Sequence, residues 1–351
     1  MIDRVKGGID IEEVKELKEG AIKSCYVDKP ENPKSKPVVY FHHNKGQFVF
    51  DVNVPRCLFQ NNLEEACNDD LPLLIKAIQD AFRLRDLEVS EEVIRTATIW
   101  YLEYGKNIIR EGEIQTCLSL ISNGLAKGQN TKKIQIYSES GSSGYKIGFK
   151  NKGRDVAFYD KTTKELVSKK HFNSYNKALY KKMQDEGKNI IRYEITFYSA
   201  KAVSQNLGKL LNKKGNLTLQ DVWNSTLAQK VLISYWEDIK KTIPQEISDK
   251  DILKKQIIEA RARDLPLKDI FQAVGINYCE SILGATETKD ICIPIETRVG
   301  GQKAQYSQYT TVKNKQEKWK EVSDIPSNPF LENITQNLVT FSPIQNVAML
   351  E

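Results

Sequence analysis

The sequence lacks the features of membrane, secreted and nucleotide-hydrolysing proteins. No apolar run among its 351 residues reaches the ~20 residues that a membrane-spanning helix needs. The first residues, MIDRVKGGIDIEEVKEL, contain no apolar signal core, so we expect a cytoplasmic protein rather than a secreted one. The absence of a GxxxxGK[ST] loop argues against an intrinsic ATPase or helicase.

Cysteine and histidine patterns typical of metal sites are also missing. The six cysteines are scattered without a CxxC pair, which favours reduced thiols over a zinc site or a disulfide framework. Of the three histidines, His42 and His43 stand at a predicted strand end, and we assign them to a loop edge rather than to a metal. A plasmid-mobilising relaxase would need a histidine cluster, which the sequence does not contain.

The positive charge of the chain is concentrated in one stretch. Residues 126–215 contain 20 Lys and Arg against 7 Asp and Glu, although the whole chain has a formal net charge of only +6. Such a region suits a polyanion, because phosphate contacts supply most of the non-specific affinity for DNA. The alternative is a lysine-rich solvated surface, and the asymmetry favours nucleic acid.

A β-hairpin is predicted for residues 145–161, YKIGFKNKGRDVAFYDK. Its turn is Asn151-Lys152-Gly153, since Asn and Gly tolerate the positive φ that tight turns require. Because side chains alternate along a strand, Tyr159 and Lys161 should lie on one polar face, while Val156 and Phe158 point into a core. A tyrosine hydroxyl with a pKa near ~10 is a poor nucleophile, and a nearby lysine would help to stabilise its anion.

The segment IRYEITF, residues 191–197, is predicted to be a second, central strand. Alternation places Arg192, Glu194 and Thr196 on one face and large apolar residues on the other. A carboxylate in a buried strand needs a cationic partner, and a metal ion is one such partner. If this strand and the hairpin share a sheet, Tyr159, Lys161 and Glu194 can converge.

The order of these two segments resembles the core of rolling-circle replication initiators. FYDK followed roughly thirty residues later by RYEITF is similar to the gene II/X proteins of filamentous phages and to a class of small-plasmid initiators. The likeness extends from the start of the chain to about residue 240. In these families the tyrosine of an [IF]-Y-x-K strand attacks DNA, and the glutamate of an R-x-E strand helps to hold a divalent metal.

The resemblance implies a role for each candidate residue. Tyr159 would be the nucleophile, Lys161 its stabilising cation, and Glu194 a ligand of Mg²⁺ or Mn²⁺. The family carries an aspartate where Glu103 stands, so this residue departs from the pattern by one methylene but is expected as a second ligand. Asp51, on a predicted strand that could border the site, is a third candidate ligand.

The resemblance also implies partners. Basic residues around the motifs are expected to contact DNA: Lys146, Lys150, Lys152, Arg154 and Arg192. Origin DNA of a phage or plasmid would be the substrate, with a host helicase and polymerase as partners. No membrane partner is expected, and a dimer stays an open option.

The element pattern predicts an α+β fold with a mostly antiparallel central sheet and helices on one face. Residues 1–212 would form the catalytic domain, beginning with an edge strand over residues 1–9. Residues 213–290 would form a helical region, with a helix–turn–helix at residues 267–284 weighed against an ordinary helical hairpin. The polar residues 291–351 are expected to be poorly ordered.

The predicted function is that of an initiator which nicks one strand at the origin through Tyr159, forms a 5′-phosphotyrosyl intermediate and rejoins the strand. The alternative is a replication or control protein that binds DNA without cleaving it. The departure at Glu103 keeps this alternative open.

Overall fold

The structure is a computed structural model that describes residues 1–25, 35–111, 135–141, 144–167, 174–241, 243 and 329–344, together with six residues between 114 and 125. The predicted helix–turn–helix at residues 267–284 lies outside these ranges.

The centre of the fold is an antiparallel sheet of eight strands. The strands of the chain are Ile2–Asp10 (β1), Lys15–Glu16 (β2), Val38–His42 (β3), Gln47–Asn53 (β4), Leu87–Glu88 (β5), Thr98–Glu111 (β6), Gln135–Gly141 (β7), Gly144–Lys150 (β8), Arg154–Asp160 (β9) and Lys188–Phe197 (β10). They follow the order β3-β4-β1-β6-β10-β9-β8-β7, while β2 and β5 form a separate pair. The α+β class and the antiparallel sheet are therefore confirmed.

Helices connect and cover the strands. The described helices are Ala21–Ser24 (α1), Val54–Phe59 (α2), Leu71–Arg83 (α3), Glu91–Thr96 (α4), Lys161–Val167 (α5), Ser174–Asp185 (α6), Ala200–Leu207 (α7), Leu219–Val222 (α8), Ser225–Lys240 (α9) and Pro329–Thr340 (α10). The Ser90 side chain caps α4 by accepting a hydrogen bond from the Val93 amide at 3.3 Å. None of the described helices is long and apolar enough to cross a membrane.

One face of the sheet packs against the main core. The ring of Phe158 on β9 stacks on Tyr193 of β10, with centroids 4.4 Å apart, and Trp236 of α9 packs against Phe158. Each such fully buried side chain contributes roughly 1.5–3 kcal/mol through the apolar surface removed from water. This apolar face fixes which way the alternating polar residues of β9 and β10 point.

In the part of the chain that the structure describes, the opposite face is covered at one end, which refines the expectation of helices on a single face. Ile190 lies on the same side of β10 as Arg192 and belongs to a small buried cluster with Tyr180 and Met183 of α6. The rest of this side of β10 carries polar side chains, which leaves room for a site in the middle of the sheet.

Two local predictions need correction. The first strand is not at an edge, because β1 pairs with both β4 and β6. Strand β9 ends at Asp160, whose carboxylate accepts a hydrogen bond from the Thr163 amide at 2.9 Å. This contact starts α5, so Lys161 is the first residue of a helix and not a strand residue.

The described part of the C-terminal stretch belongs to the same core as the sheet. Helix α10 buries Leu331, Ile334 and Leu338, and Thr335 accepts a hydrogen bond from the Trp236 indole at 2.9 Å. The expectation of poor order therefore does not hold for residues 329–344. The division of the chain at residues 212 and 290 stays a prediction.

Candidate active site

Three carboxylates from three neighbouring strands meet on the open face of the sheet. Asp3 of β1, Glu103 of β6 and Glu194 of β10 each place one oxygen within 4.8 Å of the others. We call this group the carboxylate triad. Glu103 and Glu194 were predicted to meet, whereas Asp3 was missed.

A β-bulge explains why alternation alone does not find Asp3. Ile2 pairs with Tyr104 and Arg4 with Glu103, so Asp3 is an extra residue between two consecutive pairs. A bulged residue is turned away from the simple alternation of the strand. The carboxylate of Asp3 consequently reaches the same face as Glu103.

Tyr159 lies directly beside the triad. It pairs with Arg192 across β9 and β10, and its hydroxyl donates a hydrogen bond to Glu194 Oε1 at 2.7 Å. The ammonium of Lys164 lies 4.0 Å from the centroid of the tyrosine ring. Only 7% of Tyr159 is exposed, so its hydroxyl is held in one place.

The guanidinium of Arg192 binds two of the three carboxylates of the triad. It forms ion pairs with Asp3 at 2.7 Å and with Glu194 at 3.1 Å, and donates a hydrogen bond to Asn107 at 3.1 Å. Gly105 makes room for it, since a Cβ at this position would lie 2.5 Å from Arg192 Cζ. Arg192 is 2% exposed, so it is a buried partner of the carboxylates rather than a surface contact for DNA.

Lys161 is close to the site but is held by other partners. Its ammonium donates hydrogen bonds to the Asn62 carbonyl and, at 3.0 Å, to the Asn107 side chain. Asn107 thereby links Lys161 to Arg192. Among the described residues, Lys164 lies over the Tyr159 ring, and Arg192 and Lys146 are its neighbours on the two adjacent strands.

A buried ion pair supports the strand that carries Gly105 and Asn107. Lys106 pairs with Glu65 at 2.5 Å, with both side chains at most 3% exposed. Glu65 also accepts a hydrogen bond from the Asn107 amide, and Lys106 donates to the Ser342 carbonyl at 2.7 Å. These contacts fix the backbone of β6 next to the triad. Such a pair was not predicted, because its partners are distant in sequence.

The protonation states of the site follow from burial and from neighbouring charges. Burial, with Glu194 and Asp3 adding like charge, raises the pKa of Glu103 well above its usual value. Burial is the largest influence on Asp3 and opposes its charge, but Arg192, Lys161 and a hydrogen bond with Glu103 together outweigh it and hold the pKa of Asp3 below its usual range. The side chains of Glu103 and Asp3 are also hydrogen-bonded to each other, which favours a proton on Glu103.

The same effects act on the two residues predicted to be catalytic. Burial, followed by the Glu194 carboxylate, raises the pKa of Tyr159 well above its usual value. Burial and the nearby Arg192 lower the pKa of Lys161 to about 8. The tyrosine is therefore a neutral hydroxyl at pH 7, and the lysine is partly deprotonated in mildly alkaline solution.

The carboxylate triad fits a hard divalent cation. Mg²⁺ and Mn²⁺ prefer oxygen ligands, and the triad offers three carboxylates in one cluster. The pKa of Glu103 is raised by burial first and by the neighbouring carboxylates second, so its charged form is poorly compensated. A divalent cation would supply positive charge, so Asp3, Glu103 and Glu194 could hold Mg²⁺ or Mn²⁺.

Asp51 does not join the triad. It accepts a hydrogen bond from Arg4 and forms an ion pair with Lys6, at 2.8 and 2.7 Å. Asp51 is on the same face of the sheet as these two cations but neutralises them instead of facing the triad. Its role as a third ligand is not supported by this geometry, and the third carboxylate beside Glu103 and Glu194 is that of Asp3.

The predicted DNA contacts divide between the two faces of the sheet. Lys146 pairs across from Tyr159, Lys150 is exposed on the same strand, and Lys152 is exposed in the hairpin turn. Arg154 instead points to the helix face, where it donates a hydrogen bond to the Tyr235 hydroxyl at 2.5 Å. Alternation predicts this, since Arg154 is an odd number of residues from Tyr159.

Comparisons with known proteins give one distant structural likeness. No protein-family model matches the chain, and no curated protein matches it in sequence. Among solved structures, the fold is similar to a rolling circle replication initiator protein from Geobacillus stearothermophilus, with a TM-score of 0.31 and 12% sequence identity. The match covers 69% of this chain and 96% of that one. Both measures are too low to transfer a function.

Proposed function

We propose that the protein nicks one strand of origin DNA and rejoins it, as an initiator of rolling-circle replication in a phage or small plasmid. The observation that carries the proposal is the hydrogen bond of 2.7 Å between the Tyr159 hydroxyl and Glu194, a member of the carboxylate triad. A nucleophile and an acidic cation site are then in direct contact, on strands whose motifs resemble the initiator families.

The proposed reaction exchanges one phosphodiester for another. The phenolic oxygen of Tyr159 forms a bond to phosphorus, and the bond from phosphorus to O3′ breaks. The phenolic proton passes to Glu194, and the departing 3′ oxygen takes up a proton from solvent. The products are a 5′-phosphotyrosyl link and a free 3′-hydroxyl that can prime synthesis. Attack by a 3′-hydroxyl reverses the step and rejoins the strand.

The residues around Tyr159 have distinct roles in this proposal. Because the pKa of Tyr159 is raised, its proton must leave during the attack, and Glu194 is in position to accept it. Arg192 holds Glu194 and Asp3 in place. A divalent cation in the triad would withdraw charge from the scissile phosphate and stabilise the transition state.

Basic residues around Tyr159 favour a nucleic-acid substrate. Lys146 is its neighbour on β8, Lys164 lies over its ring, and Lys150 and Lys152 are exposed on the same hairpin. A scissile phosphate at Tyr159 would therefore approach a positively charged surface. A host helicase and polymerase would act on the nicked product as further partners of the proposed initiator.

The test is a nicking assay with supercoiled and single-stranded DNA of the replicon that encodes the protein, in Mg²⁺ or Mn²⁺. Wild type should give a nick and a covalent protein–DNA adduct. Tyr159→Phe and Glu194→Ala should give neither. Tyr180→Phe is the matched control, because it removes the hydroxyl of another buried tyrosine outside the triad and should keep the activity.

Each other outcome has a defined meaning. If wild type binds the DNA but never cuts it with either metal, the protein is a DNA-binding protein without cleavage activity. If nicking survives Tyr159→Phe, the nucleophile is another residue.

A further inference from the structure

Asn107 is a buried amide in the same row of the sheet as Tyr159. It lies directly across from Arg192 in the pairing of β6 with β10, and Arg192 pairs in turn with Tyr159 on β9. Only 1% of Asn107 is exposed. A buried amide must satisfy its hydrogen-bonding groups within the protein, so its partners indicate what the residue holds in place.

The side-chain oxygen of Asn107 accepts hydrogen bonds from two cations. The ammonium of Lys161 donates to it at 3.0 Å, and the guanidinium of Arg192 donates to it at 3.1 Å. Arg192 is also fixed by its ion pairs with Asp3 and Glu194, whereas Lys161 has a long and flexible stem. Because the two cations repel each other, Lys161 would be the one to move if this shared acceptor were lost.

The rest of Asn107 is held in one orientation. Its side-chain nitrogen donates to the Leu63 carbonyl at 2.7 Å, and its backbone N–H donates to Glu65 at 2.5 Å. Because the nitrogen is committed to the Leu63 carbonyl, the oxygen faces the two cations. Asn107 is therefore a fixed acceptor whose position is set before any substrate binds.

The position of the Lys161 ammonium depends on its acceptors. Lys161 is the first residue of α5, so the alternation of β9 does not direct its side chain. The ammonium donates to the Asn62 carbonyl and to Asn107. Among the described residues these two acceptors take two of its three N–H groups, which leaves the third for a phosphate oxygen.

We infer that Asn107 is a positioning residue of the proposed nicking site: its side-chain oxygen holds the Lys161 ammonium beside Arg192, where Lys161 can contact a phosphate bound at the site. A cation that is fixed in advance does not have to be reorganised during the reaction. The inference rests on the proposed function, and it gives a role to a residue that would contact neither DNA nor the divalent cation.

Nicking rates under single-turnover conditions test whether Asn107 acts through Lys161. Asn107→Leu keeps the size of the side chain but removes the acceptor, and it should slow nicking about 10–100-fold because the lysine is misplaced. Lys161→Met should slow nicking to a similar extent. The double variant should be about as slow as the slower single variant, because residues that act as a unit are not additive. Losses that multiply, or an Asn107→Leu variant that nicks at the wild-type rate, would overturn the inference.

Asn206 provides a matched control on the other face of the sheet. Its side-chain oxygen also accepts from two donors, Arg154 at 3.4 Å and the Tyr235 hydroxyl at 3.0 Å. Its nitrogen likewise donates to a backbone carbonyl, that of Ala202, at 2.7 Å. Asn206→Leu should nick at the wild-type rate. The melting temperature of each variant is compared with that of wild type to identify any loss of folding.

The titration of Lys161 gives a readout that does not depend on nicking. The ε carbon of Lys161 is followed by NMR in protein labelled with ¹³C-lysine and is assigned by its loss in Lys161→Met. The charged groups that act on this lysine are Arg192 and Glu194 of β10, Asp3 of β1 and Glu165 of α5, and all of them are kept. Asn107→Asp places a negative charge against the ammonium and should raise the pKa of Lys161 from about 8 to about 9 or higher.

The two measurements distinguish failure of the inference from failure of the proposed function. Asn206→Asp should leave the pKa of Lys161 unchanged. If Asn107→Asp also leaves it unchanged while the wild-type protein nicks DNA, Lys161 is not held by residue 107 and the inference alone is overturned. If Lys161 responds as expected but the wild-type protein never nicks DNA, the proposed function fails, and Asn107 is only a structural partner of the lysine.

Discussion

Replacing Gly105 by alanine should disrupt the carboxylate triad without touching any of its members. In most strands this change is favourable by ~0.5–1 kcal/mol, because glycine loses more backbone entropy on folding. At this position a Cβ would lie 2.5 Å from Arg192 Cζ and 2.8 Å from Nε. Ordinary contacts between such atoms are ~3.5–4.0 Å, so the guanidinium must move by about 1 Å.

The expected loss of stability follows from the ion pairs that Arg192 forms. A shift of that size breaks its ion pairs with Asp3 at 2.7 Å and with Glu194 at 3.1 Å. Removing one partner of a buried ion pair costs ~3–5 kcal/mol, because the remaining charge is left uncompensated. After the favourable strand contribution of alanine, Gly105→Ala should lower the free energy of unfolding by about 2–4 kcal/mol.

A double-mutant cycle separates this clash from other effects of the alanine. Urea unfolding followed by circular dichroism gives the free energy of Gly105→Ala in wild type and in Arg192→Leu, which has no guanidinium. In the second background the alanine should be neutral or slightly stabilising. The reasoning is refuted if Gly105→Ala costs the same in both backgrounds, or if it is neutral in wild type.

Two further predictions concern protons and one concerns a buried ion pair. The pKa of Glu103 is raised in the folded protein. Above pH 4.5, the ordinary pKa of glutamate, the unfolded chain therefore releases a proton that the folded protein keeps. The free energy of unfolding should consequently fall as pH rises from 4.5 through the raised pKa. Glu103→Gln in EDTA should therefore raise the melting temperature more at pH 8 than at pH 5, and an equal effect at both would contradict this. Since Glu103 must lose that proton to bind a cation, Mn²⁺ binding should release about one proton, measured by calorimetry in buffers of different ionisation enthalpy. Lys106→Met should cost ~3 kcal/mol in urea unfolding, because the buried Glu65 loses its closest cation and keeps only the longer ion pair with Arg192 at 3.6 Å, and Glu65→Gln added to it should recover part of the loss.

Alternation along the strands was enough to predict the centre of the site. It assigned Tyr159 and Glu194 to the same side of two strands, and the structure joins these side chains by a hydrogen bond of 2.7 Å. The turn at residues 151–153 and strand β10 also agree with their predicted positions. The direction of each side chain and the position of the turn depend on residues close by in the chain, so they can be predicted from one sequence.

The missed residues depend on contacts between distant parts of the chain. Asp3 is bulged, and a bulge is set by the register of two strands rather than by either strand alone. Arg192 was placed on the correct face, but its depth depends on the absence of a side chain at Gly105. Alternation predicts the direction of a side chain and not how deeply it is buried.

The presence of glutamate instead of the family's aspartate at position 103 does not remove this residue from the triad. Glu103 belongs to the group within 4.8 Å because the bulge at Asp3 brings a third carboxylate to it. Arg192 pairs with Asp3 and Glu194, which leaves Glu103 as the member whose charge is least compensated. The raised pKa of Glu103 favours its protonated form when no cation is bound, and a divalent cation could replace that proton. The glutamate at position 103 is therefore only a weak argument for a DNA-binding protein without cleavage activity.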